Sequence, residues 1–196
     1  MTRGYYNNPE ATAKAFDDES YLCSYDAAAF LAPHDPTAGL IFDGRIGEDF
    51  KLSSGTWVHN ARLRASINRA GQPYLLEAVV AAPNRDYLTA LVFPNLPLLR
   101  ARFSEASARA ADDGAFLACE EVRAFFSAIF LQHNREHVAS SNHFMRYMLL
   151  DTPPRLDHNE TTDKGYINQI AVLRNRAAMV EKLYQEPPDP DVIILR

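Results

Sequence analysis

Two apolar runs, Leu75–Ala82 and Tyr87–Phe93, stand either side of the polar turn Asn84-Arg85-Asp86 and constrain this chain more than any other feature. Runs of strand length, rich in β-branched residues and parted by turn-forming residues, read as a β-hairpin. Pro94 and Pro97 punctuate its end. Residues 98–138 then show apolar side chains at helical spacing, clearest from Ala115 to Leu131. Phe144–Leu150 is a further strand candidate, Asn168–Tyr184 a second amphipathic helix, and the tail from Pro187 to Pro190 is expected to leave the compact part. Upstream, Phe50–Leu52 and Thr56–Val58 read as strands around Ser53-Ser54-Gly55, and Leu63–Ala70 as a helix closed by Gly71. From about residue 48 the chain is therefore expected to be α+β.

Residues 1–45 follow a different grammar. A short helix is expected after Pro9, and short strands at Tyr21–Tyr25 and Leu40–Phe42. A segment of this size is too small for an independent core, whereas the full 196 residues, 47% hydrophobic, can bury one without staples. Charge divides along the same line. Residues 1–50 carry nine Asp/Glu against three Lys/Arg, a balance of −6; with −5 for the whole chain, the remainder balances at +1. Neither part has a basic footprint, so nucleic acid is not an expected partner. No apolar run reaches the roughly 18 residues that span a membrane, and the first residues lack a signal-type apolar stretch. Cys23 and Cys119 lack metal-type spacing and are expected as buried free thiols. The cytoplasm is the expected compartment.

Several chemistries are excluded by pattern. There is no phosphate loop of the G-x-x-x-x-G-K-[ST] type, no G-x-G-x-x-G and no G-x-S-x-G. His133-Asn134-Arg135-Glu136-His137 matches H-x-x-E-H, which on a helix would place two zinc ligands and a general base on one face. Three fixed positions recur often by chance, and the segment lies where a helix turns polar. It is read as a solvated helix end, with a zinc hydrolase as the minor alternative and no metal expected.

The informative constellation is longer. It runs Gly4-Tyr5…Pro9-Glu10…Phe16, Tyr21-Leu-Cys-Ser-Tyr-Asp26, Phe42-Asp-Gly-Arg45-Ile-Gly-Glu-Asp-Phe-Lys51-Leu-Ser-Ser-Gly55-Thr-Trp-Val58, and, far away, Glu160-Thr-Thr-Asp-Lys164-Gly-Tyr-Ile-Asn-Gln169. In this order the set resembles the adenylate-forming superfamily, and the third and fourth strings resemble feruloyl-CoA synthases in particular. The resemblance covers residues 4 to about 190 and only the C-terminal portion of such an enzyme. It implies a fold: a small lid-type domain over residues 47–196, preceded by a β-rich remnant of the N-terminal adenylation part over residues 1–46.

The resemblance also implies roles. Such enzymes convert a carboxylate to an acyl-adenylate with ATP and Mg2+, then pass the acyl group to CoA and release AMP, with the lid swinging between the steps. Asp26 corresponds to the carboxylate that holds the ribose hydroxyls, and Arg45 to the arginine that contacts ribose or phosphate. Gly47 lies at the hinge. Lys51, Ser53, Ser54 and Gly55 correspond to the face that meets CoA, and Lys164 to the late lysine between substrate carboxylate and α-phosphate. Three departures stand out. Tyr25 replaces the usual Gly before the aspartate and is expected to crowd the ribose. Lys164 precedes Gly165 where many relatives have the reverse order. The phosphate-cradling loop and the acyl pocket lie outside this sequence, so Met1 is read as the start codon of a broken or split gene.

On this reading the chain is a ligase portion without synthetase activity of its own, derived from an enzyme of aromatic acids, whose partner is the missing adenylation part. The alternatives are a CoA- or nucleotide-binding module and the complementing half of a split synthetase. Leu40, Ile41 and Phe42 are expected to be exposed.

Overall fold

The computed structural model describes residues 2–196, without the side chain of Arg45; Met1 lies outside the described residues. The chain divides into two compact units, the first ending at Gly47 and the second spanning Glu48–Arg196.

The first unit holds helix α1 (Pro9–Lys14) and a hairpin of β1 (Asp26–Ala32) and β2 (Asp35–Arg45). Pro9 opens α1, and the Asn8 side chain accepts the Ala11 N–H as its cap. The apolar residues 27–31 turn out to be strand, paired antiparallel with β2 around a tight turn at Pro33-His34. Two strands alone have no sheet to pack against. Leu40, Ile41 and Phe42 remain 66%, 48% and 66% exposed, as do Phe30 and Leu31 on the partner strand. Tyr21–Tyr25 forms no strand beyond a single bridge between Phe16 and Leu22.

The second unit begins with the small hairpin β3 (Phe50–Lys51) and β4 (Trp57–Val58), followed by α2 (Asn60–Gly71). Strands β5 (Leu75–Val80) and β6 (Leu88–Pro94) form the expected antiparallel pair. Helices α3 (Leu96–Arg102), α4 (Ser104–Arg109), α5 (Asp113–Leu117) and α6 (Glu120–Glu136) cross over to β7 (Phe144–Leu149), which lies parallel to β6. Alternation along the strands covers both faces of this sheet. Ala78, Val80, Ala90 and Val92 pack with Ile67 of α2 and with Val122, Phe126 and Phe130 of α6. Val79, Leu91 and Phe93 pack with Val172 and Leu183 beyond the opposite face. The unit is a mixed α/β layer structure.

Four more expectations need correction. The helix expected over 168–184 is two, α7 (Gln169–Asn175) and α8 (Ala177–Tyr184), because the backbone breaks at Arg176, whose buried side chain serves other partners. The tail does not leave: Val192–Ile194 returns as edge strand β8 against β7. Gly71 is not a left-handed cap. It is the last helical residue, and a Cβ there would sit 2.5 Å from the Leu75 Cβ, so the glycine allows close approach of α2 to β5. Cys23 and Cys119 are free and half-buried rather than buried.

Candidate functional site: the Gly47 segment and two glycine-closed hairpins

The segment around Gly47 is defined by its anchors. On one side, the Ile46 N–H donates to the Tyr25 carbonyl at 2.9 Å, tying it to the first unit. On the other, Glu48 accepts from Arg64 Nη1 at 3.0 Å, and Asp49 accepts the Asn60 N–H at 3.0 Å. A carboxylate at the amino end of α2 complements the helix dipole. His59 lies 3.1 Å from the other Asp49 oxygen. Gly47 is thus the single residue between a bond into one unit and an ion pair into the other. An added Cβ would meet nothing within 4 Å, and Gly47 does not take a left-handed φ, so its freedom is not consumed in this conformation.

In the first unit, strand register sets Asp26 opposite Arg45. The two expected nucleotide contacts therefore come from neighbouring strand ends, though the side chain of Arg45 is outside the described residues. Tyr25, just before Asp26, has φ +59°. This left-handed conformation is why glycine suits the position; a ring-bearing residue there carries about 1–2 kcal/mol of strain. The Tyr25 hydroxyl donates to the Lys14 carbonyl at 3.1 Å, holding the ring back towards α1.

Two turns in the second unit share one geometry. In Leu52–Thr56, the Leu52 N–H donates to the Thr56 carbonyl (3.0 Å) and the Gly55 N–H to the Leu52 carbonyl (2.9 Å). In Thr162–Tyr166, the Thr162 N–H donates to the Tyr166 carbonyl (2.9 Å) and the Gly165 N–H to the Thr162 carbonyl (2.9 Å). Both are three-residue hairpin loops whose third residue is a glycine at positive φ, +82° for Gly55 and +80° for Gly165. The order Lys164-Gly165 follows directly: glycine must take the left-handed place, and the lysine before it occupies the exposed tip.

The hairpins are anchored differently. The first docks on the polar turn between β5 and β6: the Ser53 N–H donates to the Arg85 carbonyl (2.9 Å), the Asn84 N–H to the Lys51 carbonyl (2.9 Å), and the Ser53 hydroxyl to Asp86. The Lys51 ammonium lies 4.9 Å from the centre of the Trp57 ring, a cation–π contact, and Ser54 Oγ is 2.9 Å from Thr56 Oγ1. The second hairpin is anchored by Glu160, which is 2% exposed. Its carboxylate accepts from Arg176 Nε (3.1 Å) and Nη2 (2.8 Å) and from the Arg155 N–H (3.0 Å). Arg176 also donates to the carbonyls of Thr152 (3.2 Å) and Pro153 (2.9 Å), so neither buried charge is left unpaired. Burial pushes the Glu160 carboxyl up, but Arg176 and the Arg155 amide outweigh it and hold it below the usual range.

Glu48, Asp49, Asp86, Glu160 and Arg176 hold these segments in place without carrying a motif of their own. Glu48, Asp49 and Glu160 lie inside the quoted strings. Arg176, an arginine at the middle of an apolar helical pattern, is the one signal that was visible.

The segment 133–137 is not wholly a solvated helix end, because His133 and Asn134 are buried and have protein partners. His133 Nε2 lies 3.2 Å from the Asn142 carbonyl, both rings face the Ser66 hydroxyl, and Glu136 accepts from Gln132 at 2.7 Å. Among the described residues no group of three or more His, Cys, Asp or Glu gathers to hold a metal, and no helix is long and apolar enough to cross a membrane.

No family model matches the chain. Over 185 residues it is 25% identical to the carboxylic acid reductase of Segniliparus rugosus, an alignment that covers 93% of this chain and 14% of that protein. The solved adenylation domain of that reductase, in complex with AMP and a co-purified carboxylic acid, matches 92% of the chain at 23% identity with a TM-score of 0.69. The adenylation domain of the carboxylate reductase from Mycobacterium chelonae matches 94% at 22% identity with a TM-score of 0.70. The fold is that of part of an adenylation domain. This chain spans only about a quarter of the length of each of these two solved chains, 26% in both cases.

Proposed function

We propose that this chain is the hinge and lid portion of an enzyme that activates a carboxylic acid as its acyl-adenylate and then passes it to CoA. The observation that carries the reading is Gly47, alone between a hydrogen bond into the first unit and an ion pair into the second. Rotation at one unencumbered glycine would exchange the hairpin presented to the substrate. In the adenylation step Asp26 takes the ribose hydroxyls with its two acceptor oxygens, and Arg45 contacts ribose or phosphate with its planar fork. Lys164, at its hairpin tip, neutralises the substrate carboxylate and the α-phosphate as they approach. Mg2+ would enter with ATP, on the part of the relatives that this chain does not span. In the second step Lys51 and the Ser53-Ser54-Gly55 turn face the pantetheine, with Gly55 leaving the backbone approachable.

A second reading shares the first step: the adenylation part of a carboxylate reductase, favoured by the similarity to the Segniliparus enzyme. A feruloyl-CoA synthase type with an aromatic substrate is favoured by the strings around Arg45 and Lys164.

Two experiments test this. The chain alone, given ATP, ferulate and CoA, is expected to form no thioester; detectable feruloyl-CoA would overturn its being a portion of an enzyme. Substituted for the matching portion of a feruloyl-CoA synthase, it is expected to restore ATP–pyrophosphate exchange and thioester formation. Lys164→Ala should lower the exchange by roughly a hundredfold while sparing thioester formation from preformed adenylate. A folded chimera without exchange would overturn the adenylation reading; exchange without thioester would transfer it to the reductase type.

A further inference from the structure

The first hairpin of the second unit turns outward a tryptophan that its own packing does not use. Phe50 and Val58 are register partners, as are Lys51 and Trp57. Alternation along a strand sends these two pairs to opposite faces. Val58 is buried with Leu52, and Phe50 packs against the same core. Lys51 and Trp57 therefore face away from that core, and Trp57 is 56% exposed. It is the only tryptophan in the sequence.

The pair has the chemistry of a nucleotide platform. The Lys51 ammonium lies 4.9 Å from the centre of the Trp57 ring, and more than half of the tryptophan stays exposed with the ammonium in place. An exposed indole offers a π-face to a base, and such stacking contributes about 1–3 kcal/mol per base. An ammonium is a compact charge suited to a phosphate. Among the described residues Lys51 forms no ion pair with a carboxylate. The carboxylates closest along the hairpin and its dock already have donors. Glu48 accepts from Arg64, Asp49 accepts the Asn60 N–H and faces His59, and Asp86 accepts the Ser53 hydroxyl. An ammonium open to an outside anion thus stands beside a ring open to an outside base. Cross-strand pairing by itself stabilises a hairpin by about 0.2–1 kcal/mol, a structural role that a selectivity measurement separates from binding.

We propose, resting on the reading of this hairpin as the face that meets CoA, that Trp57 and Lys51 bind the nucleotide end of CoA. The indole lies against the adenine and the ammonium against a phosphate. The Ser53-Ser54-Gly55 tip takes the pantetheine arm, and the strand pair beneath the tip takes the nucleotide. The second step then selects a thiol carried on an adenine nucleotide over a pantetheine thiol without a base.

Because Trp57 is the sole tryptophan, its emission in the 196-residue chain reports this site alone. Titration with adenosine 3′,5′-bisphosphate is expected to quench it saturably, and Lys51→Gln to weaken that binding about fivefold. Pantetheine, which has no base, should leave the emission unchanged. Quenching that does not saturate, or an affinity indifferent to Lys51→Gln, would overturn the pair as a site. Selectivity is read in the feruloyl-CoA synthase chimera. Trp57→Ala should raise the KM for CoA about tenfold while the KM for pantetheine moves by less than about twofold, and Trp57→Phe should recover most of the loss. Equal rises for the two thiols would make Trp57 a residue that only supports the hairpin and would overturn the proposal. A chimera that forms thioester with neither thiol counts against the ligase reading itself, and the quenching of the chain then decides the nucleotide platform on its own.

Discussion

Three glycines show how much a single φ angle decides. Gly47, Gly55 and Gly165 all have open space where a Cβ would go, yet only the last two are left-handed. Gly55→Ala and Gly165→Ala should each cost about 1 kcal/mol, whereas Gly47→Ala should lie within about 0.5 kcal/mol of the parent. Urea midpoints of the three variants check this; a costly Gly47→Ala would mean that Gly47 is already strained. Sequence spacing alone treats the three alike, because torsion angles are set by the bonds that close each turn. Tyr25 is the converse case: a ring-bearing residue stands on a left-handed backbone of the kind that suits glycine.

At the scale of elements, the hairpin bearing Lys164 depends on a buried ion pair outside it. Glu160→Gln leaves the Arg176 guanidinium buried without its counter-charge and should destabilise the second unit by about 3 kcal/mol at pH 7. The Glu160 carboxyl is held low in the folded state, so the pair's contribution is complete above the unfolded-state pKa of about 4.3 and is lost as pH falls through the folded value. The gap between parent and variant should therefore begin to narrow below about pH 4.3 and vanish below the folded value. Equal urea midpoints at pH 7 would show that the pair contributes nothing. Its ligands come from residues 152–160 and 176, and only folding brings them together. The same demand breaks the 168–184 helix: the amphipathic period was legible, but the turn of backbone that frees Arg176 for burial was not.

For the whole molecule, the exposed apolar strands of the first unit are expected to dominate behaviour in solution. Phe30, Leu31, Leu40, Ile41 and Phe42 are spread over a two-stranded hairpin, with no layer of their own unit to cover them. The chain should self-associate at micromolar concentration, and Leu40→Lys with Phe42→Lys should reduce this without altering the circular dichroism of the second unit. Light scattering across a dilution series reads the difference; a monodisperse monomer of the parent chain would refute it.

The sequence by itself determined the change of grammar near residue 48, the β5–β6 hairpin, the helical crossover after it, and the order of strings that resembles an acid-activating enzyme. Those are local: periodicity, turn chemistry and composition act within a few residues. Tertiary structure decided the rest. Pairing β6 parallel to β7 and returning the tail as β8 requires contacts across long stretches of chain. So does closing the buried Glu160–Arg176 pair, or bringing Ser66 opposite His133 and His137. Such contacts depend on which faces meet in the folded core, and periodicity along the chain carries no record of that choice.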